Sequence, residues 1–158
     1  MFVKVRVPAT SANLGPGFDV AGLAVTLYNT FTFELLDEGL EILGCPEQFA
    51  NKDNLAYRAF EEGARYVGLD YKGLRITNEG DVPYTRGLGS SSTCIVAGIV
   101  GALRSPKAPC RRAVIFRSHG LLQIKQGTLH FPCAGCRQLP FCGLAIWGHL
   151  ALQAVPSR

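Results

Sequence analysis

The acidic residues of this 158-residue chain all lie in its first two thirds, and this uneven distribution limits which part can form an ordinary folded domain. Residues 1–102 hold all 12 Asp and Glu and 8 of the 16 Lys and Arg, whereas residues 103–158 hold the other 8 bases and no acid. Acids make up roughly an eighth of ordinary proteins, so a run of this length without one has a chance on the order of one in a thousand. We therefore predict a domain over residues 1–102 and a tail of different character over residues 103–158.

The first part has the alternating apolar and polar pattern of strands. Phe2–Val7 predicts a strand that ends at Pro8, where a backbone donor is lost. A long strand is predicted over Leu23–Leu36, with a bulge near Asn29, and a shorter strand over Leu74–Thr77.

Two helices complete the predicted α+β domain. The pair Asp53-Asn54 offers N-cap chemistry for the first helix, and Gly68 offers a C-terminal stop. The second helix is predicted to begin near Ser91 and consists largely of small and β-branched residues. The residues expected on the apolar face of the first helix are Ala56, Ala59, Phe60, Gly63, Ala64 and Val67.

Hydropathy and charge patterning exclude several classes of protein. The sequence contains no uncharged apolar run long enough for a membrane span, and residues 1–8 do not have the apolar centre of a signal peptide. A cytoplasmic location without a membrane partner is therefore predicted. The bases of the tail are scattered among prolines, so no nucleic-acid partner is predicted either.

The segment PYTRGLGSSST, residues 83–93, has the composition of a phosphate-binding loop. It leads from a strand into a helix, so backbone N–H groups and the helix N-terminus converge on one spot. Gly87 and Gly89 permit close backbone approach and a positive φ, and the serines offer hydroxyls to phosphate or to a bridging metal ion. It is neither a Walker A loop nor a dinucleotide fingerprint, because no Lys follows the second glycine and Ser92 replaces the third. A loop that only caps a helix is the alternative. The candidate residues are Pro83, Tyr84, Thr85, Arg86, Gly87, Leu88, Gly89, Ser90, Ser91, Ser92 and Thr93.

A second loop presents an amide and a carboxylate. Within VPATSANLGPGFD, residues 7–19, two glycines and two prolines constrain the path and expose Asn13 and Asp19. Such a pair could bind an ammonium and a hydroxyl group. The alternative is that both side chains only hydrogen-bond their own turns.

These two motifs resemble those of the GHMP kinase family, and most closely its homoserine-phosphorylating branch. The resemblance covers residues 1–102, about the first third of a full-length member. It implies a truncated form of the family's amino-terminal domain, an α+β domain of the ribosomal protein S5 domain 2 type. The implied activity is transfer of the γ-phosphoryl group of ATP to the hydroxyl of L-homoserine, a transferase step on the route to threonine.

The resemblance also implies roles for individual residues. Asn13 and Asp19 match homoserine-binding positions, and residues 83–93 match those that wrap the triphosphate. Ser91 is the expected Mg²⁺ ligand, and Asn54 matches an adenine-contacting position. No residue is expected to act as a strong base, because positioning and charge neutralisation by Mg²⁺ suffice for this reaction class. A homodimer is expected for the intact protein.

The tail departs from the family. In the family a motif of the form EGHPDN follows, and its Glu completes the magnesium site; residues 103–158 contain neither the motif nor any carboxylate. We predict an irregular tail over residues 103–158, either disordered or derived from a shifted reading frame, a read-through or a mispredicted gene end, and we predict that this chain is an inactive fragment. Two alternatives are a non-catalytic ATP- or anion-binding remnant and a small zinc module. The zinc ligands would be His130, Cys133, Cys136 and Cys142.

Overall fold

The computed structural model describes residues 2–11, 15, 22–109 and 153–156. Within these ranges a sheet in the order β3-β4-β2-β1-β5 is combined with two helices, as the predicted α+β class requires. Strand pairs are antiparallel except β3 with β4, which is parallel. In chain order the elements are β1 (Phe2–Ser11), β2 (Leu23–Leu36), β3 (Gly39–Leu43), a 3-10 turn (Glu47–Phe49), α1 (Leu55–Val67), β4 (Gly73–Gly80), α2 (Ser90–Leu103) and β5 (Gln153–Pro156).

The pairing of β1 with β2 contains one irregularity. Pro8 lies opposite Tyr28, and the next recorded pair is Thr10 opposite Ala24. Between these two pairs β2 has more residues than β1, and they lie between Ala24 and Tyr28. Asn29 directly follows this stretch. The predicted bulge is therefore confirmed.

The predicted end of the first strand at Pro8 is wrong, because β1 continues to Ser11. Pro8 lies next to the irregularity in the pairing of β1 with β2, and the described residues of β5 pair with the stretch from Val3 to Arg6. Proline is tolerated next to bulges, which accounts for its place inside the strand.

The core lies between one face of the sheet and the two helices. Alternate residues of β1, β2 and β4 are buried, and the ring of Phe33 stacks on that of Phe60 from α1 with centroids 5.3 Å apart. All six residues predicted on the apolar face of α1 are buried, and Gly68 ends the helix as expected. The strand residues of this core are Val3, Val5, Val7, Phe31, Phe33, Leu74 and Ile76.

The two helices approach each other closely. A Cβ on Gly98 of α2 would lie 2.7 Å from the Cβ of Ala59 and 2.8 Å from the backbone nitrogen of Phe60, both on α1. This contact holds α2 in one position against α1 and the sheet, so the N-terminus of α2 has a defined location.

Candidate nucleotide site

The two motif segments meet at the N-terminus of α2. Gly89 is the N-cap residue, with a φ of 66°. A Cβ there would lie 2.6 Å from Oγ1 of Thr10 and 2.9 Å from its carbonyl oxygen. The backbone N–H of Thr10 donates to the carbonyl oxygen of Leu88 over 3.1 Å. The first motif therefore packs directly on the second.

Helix α2 begins in a way that suits an anion. Gly89 has no side chain to cap the helix, and the first turn contains no acidic residue. The N–H of Thr93 already bonds to the carbonyl oxygen of Gly89 at 2.9 Å, so it belongs to the helix proper. The N–H groups of the preceding turn point away from the helix body, and the helix dipole favours negative charge there.

Most of the predicted loop residues are accessible. Residues 83–87 and Ser91 are exposed, and residues 88–90 and Ser92 are half-buried. The hydroxyl groups of these serines are therefore in reach of a bound phosphate or metal ion.

Thr93 differs from its neighbours because its side chain is fully buried. Its hydroxyl donates to the carbonyl oxygen of Ser90 at 2.7 Å and accepts from Nδ2 of Asn29 at 3.1 Å. The Thr93 side chain therefore cannot contact a bound phosphate directly, and it can affect the site only through its hydrogen bond to Ser90 in the loop.

Asn29 is the residue that sequence reasoning missed. The side-chain oxygen of Asn29 accepts from the backbone N–H of Val82 at 3.2 Å, just before the loop. One signal was available: Asn29 has the same parity along β2 as Phe31 and Phe33, so a strand pattern assigns this amide to the core face.

Of the two N-cap candidates that the sequence offers, Asp53 and Asn54, it is Asn54 that caps α1. Its Oδ1 accepts from the backbone N–H groups of Ala56 at 2.9 Å and Tyr57 at 3.3 Å, and its Nδ2 donates to the carbonyl oxygen of Phe49 at 2.9 Å. The ring of Phe49 stacks on that of Tyr84 in the loop, with centroids 6.2 Å apart. Asn54 is thereby linked to the loop through Phe49, while its contact with adenine stays a prediction.

Two thiols and one phenol beside the loop, those of Cys45, Cys94 and Tyr84, are held neutral. Burial raises the pKa of the Cys94 thiol to about 11, and partial burial raises the pKa of the Tyr84 phenol. Burial also raises the pKa of Cys45. These groups therefore add no negative charge near the anion site at neutral pH.

Several predicted residues lie outside the described ranges. They include Asn13, Asp19 and the proposed zinc ligands between residues 130 and 142. Within the ranges that the structure describes, no three His, Cys, Asp or Glu side chains cluster as a metal site would require. In the same ranges, no helix has the length and apolarity to cross a membrane.

The fold and the loop are similar to those of a known class of protein. The family model described as "GHMP kinases N terminal domain" matches residues 54–124. This part of the chain is therefore similar to the amino-terminal domain of GHMP kinases.

The chain is also similar to homoserine kinases. It is 54% identical over 101 residues to the homoserine kinase of Clostridium beijerinckii. This alignment covers 63% of this chain and 34% of that protein. The crystal structure of the homoserine kinase from Cytophaga hutchinsonii is similar with a TM-score of 0.63 and 25% identity, over 82% of this chain and 43% of that one. The mevalonate kinase of Methanococcus jannaschii shares the fold, with a TM-score of 0.60 and 15% identity over 82% of this chain and 48% of its own. The chain spans about a third of the length of the curated relatives it matches.

Proposed function

We propose that residues 1–102 are the nucleotide-binding part of a kinase that uses ATP to convert L-homoserine to O-phospho-L-homoserine. The observation that supports this best is the junction at Gly89, where a glycine-capped helix with no acid in its first turn packs on Thr10 of the first motif. Similarity to homoserine kinases over this same part of the chain supports the choice of acceptor.

The residues at this junction fit a triphosphate with its metal ion. Backbone N–H groups at the start of α2 would bind phosphate oxygens, and the exposed Ser91 hydroxyl would bind Mg²⁺. When bound, Mg²⁺ neutralises charge on the β- and γ-phosphates. Asn13 and Asp19 would orient the acceptor.

The base of the nucleotide has a candidate platform beside the loop. The side chains of Phe49 and Tyr84 are 44% and 41% exposed, and their rings are inclined by 29°. Aromatic rings stack on nucleobases. We propose that adenine binds at this pair, next to Asn54.

We further propose that this chain binds ATP without turning it over. Mg²⁺ prefers hard oxygen ligands, and kinases hold it with carboxylates in addition to hydroxyls. Residues 103–158 contain no Asp or Glu that could supply one. The boundary after residue 102, the cytoplasmic location and a dimer of the intact protein stay predictions.

Calorimetric titration of the full chain with ATP, with and without Mg²⁺, tests the nucleotide site. We expect binding in both conditions, with a tighter complex in Mg²⁺. The variant Ser91→Ala should lose the gain from Mg²⁺ and keep its affinity for metal-free ATP, because only the metal ligand is removed. Absence of ATP binding by the unaltered chain would refute the nucleotide site.

A coupled assay for ADP release with L-homoserine tests the second part of the proposal. We expect no turnover above the rate without enzyme. Turnover in the range of about 1 to 100 per second, ordinary for kinases, would refute the inactive state and support the homoserine assignment.

A further inference from the structure

One buried amide connects both ends of the phosphate loop to the sheet. We infer that Asn29 is a positioning residue, which sets the geometry of loop 83–92 for the triphosphate without touching it. The inference rests on the proposed function of this loop.

The contacts of Asn29 reach across the chain. Nδ2 donates to Oγ1 of Thr93, in the first turn of α2, at 3.1 Å. Oδ1 accepts from the backbone N–H of Val82 at 3.2 Å, on the residue that precedes the loop. The entrance and the exit of the loop are therefore tied to the same side chain.

The first tie continues into the helix terminus. The Thr93 hydroxyl donates to the carbonyl oxygen of Ser90 at 2.7 Å, so Asn29 acts on the first turn of α2 through Thr93. That turn carries the N–H groups proposed to bind phosphate. A change in the Asn29 contact is thereby transmitted to the anion site through two hydrogen bonds.

The surroundings of Asn29 leave its amide little freedom. The residue is 3% exposed, and Thr93 is 0% exposed. Gly80 lies so close that an added Cβ would collide with Oδ1 of Asn29. An amide is suited to this place because it combines a donor nitrogen with an acceptor oxygen, and burying it without both partners would be costly.

Substitution of Thr93 tests the inference with little change in volume. Thr93→Val keeps the shape of the side chain but removes the hydroxyl, and Thr93→Ser keeps the hydroxyl. Val67→Ala serves as the control, because Val67 is buried at the end of α1 that lies far from the loop. We expect this truncation to destabilise the core and to leave the loop unchanged. Asn29→Ala is the direct variant, and the Thr93 pair remains informative if it fails to fold.

Two measurements on the full chain are compared. Hydrogen exchange followed by mass spectrometry reports opening of residues 82–93, and calorimetry reports affinity for ATP and for inorganic tripolyphosphate. In Thr93→Val we expect roughly tenfold faster exchange of the loop and roughly tenfold weaker binding of both ligands, since a buried donor loses its acceptor. Thr93→Ser should restore most of the slow exchange and most of the affinity. Val67→Ala should change the exchange rate of the loop and the affinity by less than twofold.

The outcomes separate this inference from the proposed function. If Thr93→Val behaves like Val67→Ala, or if the loop opens without loss of affinity, Asn29 does not position the site and the inference fails. If the unaltered chain binds neither ligand, the proposed function fails, and the exchange rates alone decide whether Asn29 holds the loop.

Discussion

At Gly89 two independent requirements exclude a side chain. The backbone has a φ of 66°, in the region that L-residues with a Cβ seldom adopt. The space for a Cβ is also taken by Thr10, whose Oγ1 would be 2.6 Å away. The first requirement was expected from the phosphate-loop pattern, and the second is visible only in three dimensions.

Gly89→Ala is expected to weaken ATP binding at least tenfold and to destabilise the fold. The backbone conformation costs about 1 to 2 kcal/mol for alanine, and the collision with Thr10 adds displacement of the loop. Gly39→Ala is the matched control, because Gly39 has a φ of 84° and nothing within 4 Å of an added Cβ. Calorimetry and urea unfolding measure both quantities. Equal effects of the two substitutions would contradict a role for the Thr10 contact.

At the scale of elements, the position of α2 depends on how closely it can approach α1. Gly98 lies against Ala59 and Phe60, and Gly101 lies against the ring of Phe33. Small residues were predicted for this helix, but their partners were not. The close contact orients the helix whose first turn forms the candidate site.

Gly98→Ala is expected to lower the free energy of unfolding by about 1 to 3 kcal/mol, because overfilling a packed contact forces the helices apart. The sign of the change in unfolding free energy is diagnostic, since replacing glycine by alanine in an exposed helix stabilises the helix by about 1 kcal/mol. Gly22→Ala provides the comparison, as the nearest atom among the described residues is the carbonyl oxygen of Ser11, 4.0 Å from the added Cβ. Urea unfolding monitored by circular dichroism measures the difference. A stabilised Gly98→Ala protein would argue against this packing.

At the scale of the whole molecule, the sheet joins distant parts of the chain. Gln153–Pro156, in the part predicted to be an irregular tail, pair antiparallel with β1 along the stretch from Val3 to Arg6. At the opposite edge of the sheet, β3 pairs in parallel with β4. The free energy of unfolding therefore depends on the whole sheet and both helices. Its pH dependence reports ionisable groups that are buried only in the folded chain.

The free energy of unfolding is expected to fall between about pH 9 and 11. The pKa of Cys94 rises from an ordinary 9.0 to about 11 on burial, so in this range the unfolded chain has already released a proton that the folded chain retains. The loss attributable to this thiol is about 2 kcal/mol and is absent below pH 9.

The variant Cys94→Ala isolates this contribution from the tyrosines, which also titrate at high pH. Urea unfolding at several pH values should show a smaller alkaline loss for Cys94→Ala than for the unaltered chain. Val67→Ala, which removes no titrating group, should keep the full loss. If the free energy of unfolding falls with pH equally in Cys94→Ala and in the unaltered chain, burial of the thiol is contradicted.

Local signals in the sequence were enough to predict several elements. Asn54 and Gly68 bound α1 because capping is decided by residues within a few positions of the helix ends. The loop at residues 83–93 was found for the same reason, since glycine and serine before an apolar run reflect local backbone needs. These features follow from short-range sterics and hydrogen bonding, which the sequence by itself determines.

Other features were decided by tertiary structure. The short strand β3, with its central Glu41, has too little periodicity to be predicted and exists through its pairing with β4. β1 passes Pro8 at the irregularity in its pairing with β2. Asn29 bonds to residues 53 and 64 positions away, a distance at which no local pattern operates. The sequence therefore determined the helix ends and the chemistry of the loop, whereas strand partners and the support of that loop depended on which residues folding brings together.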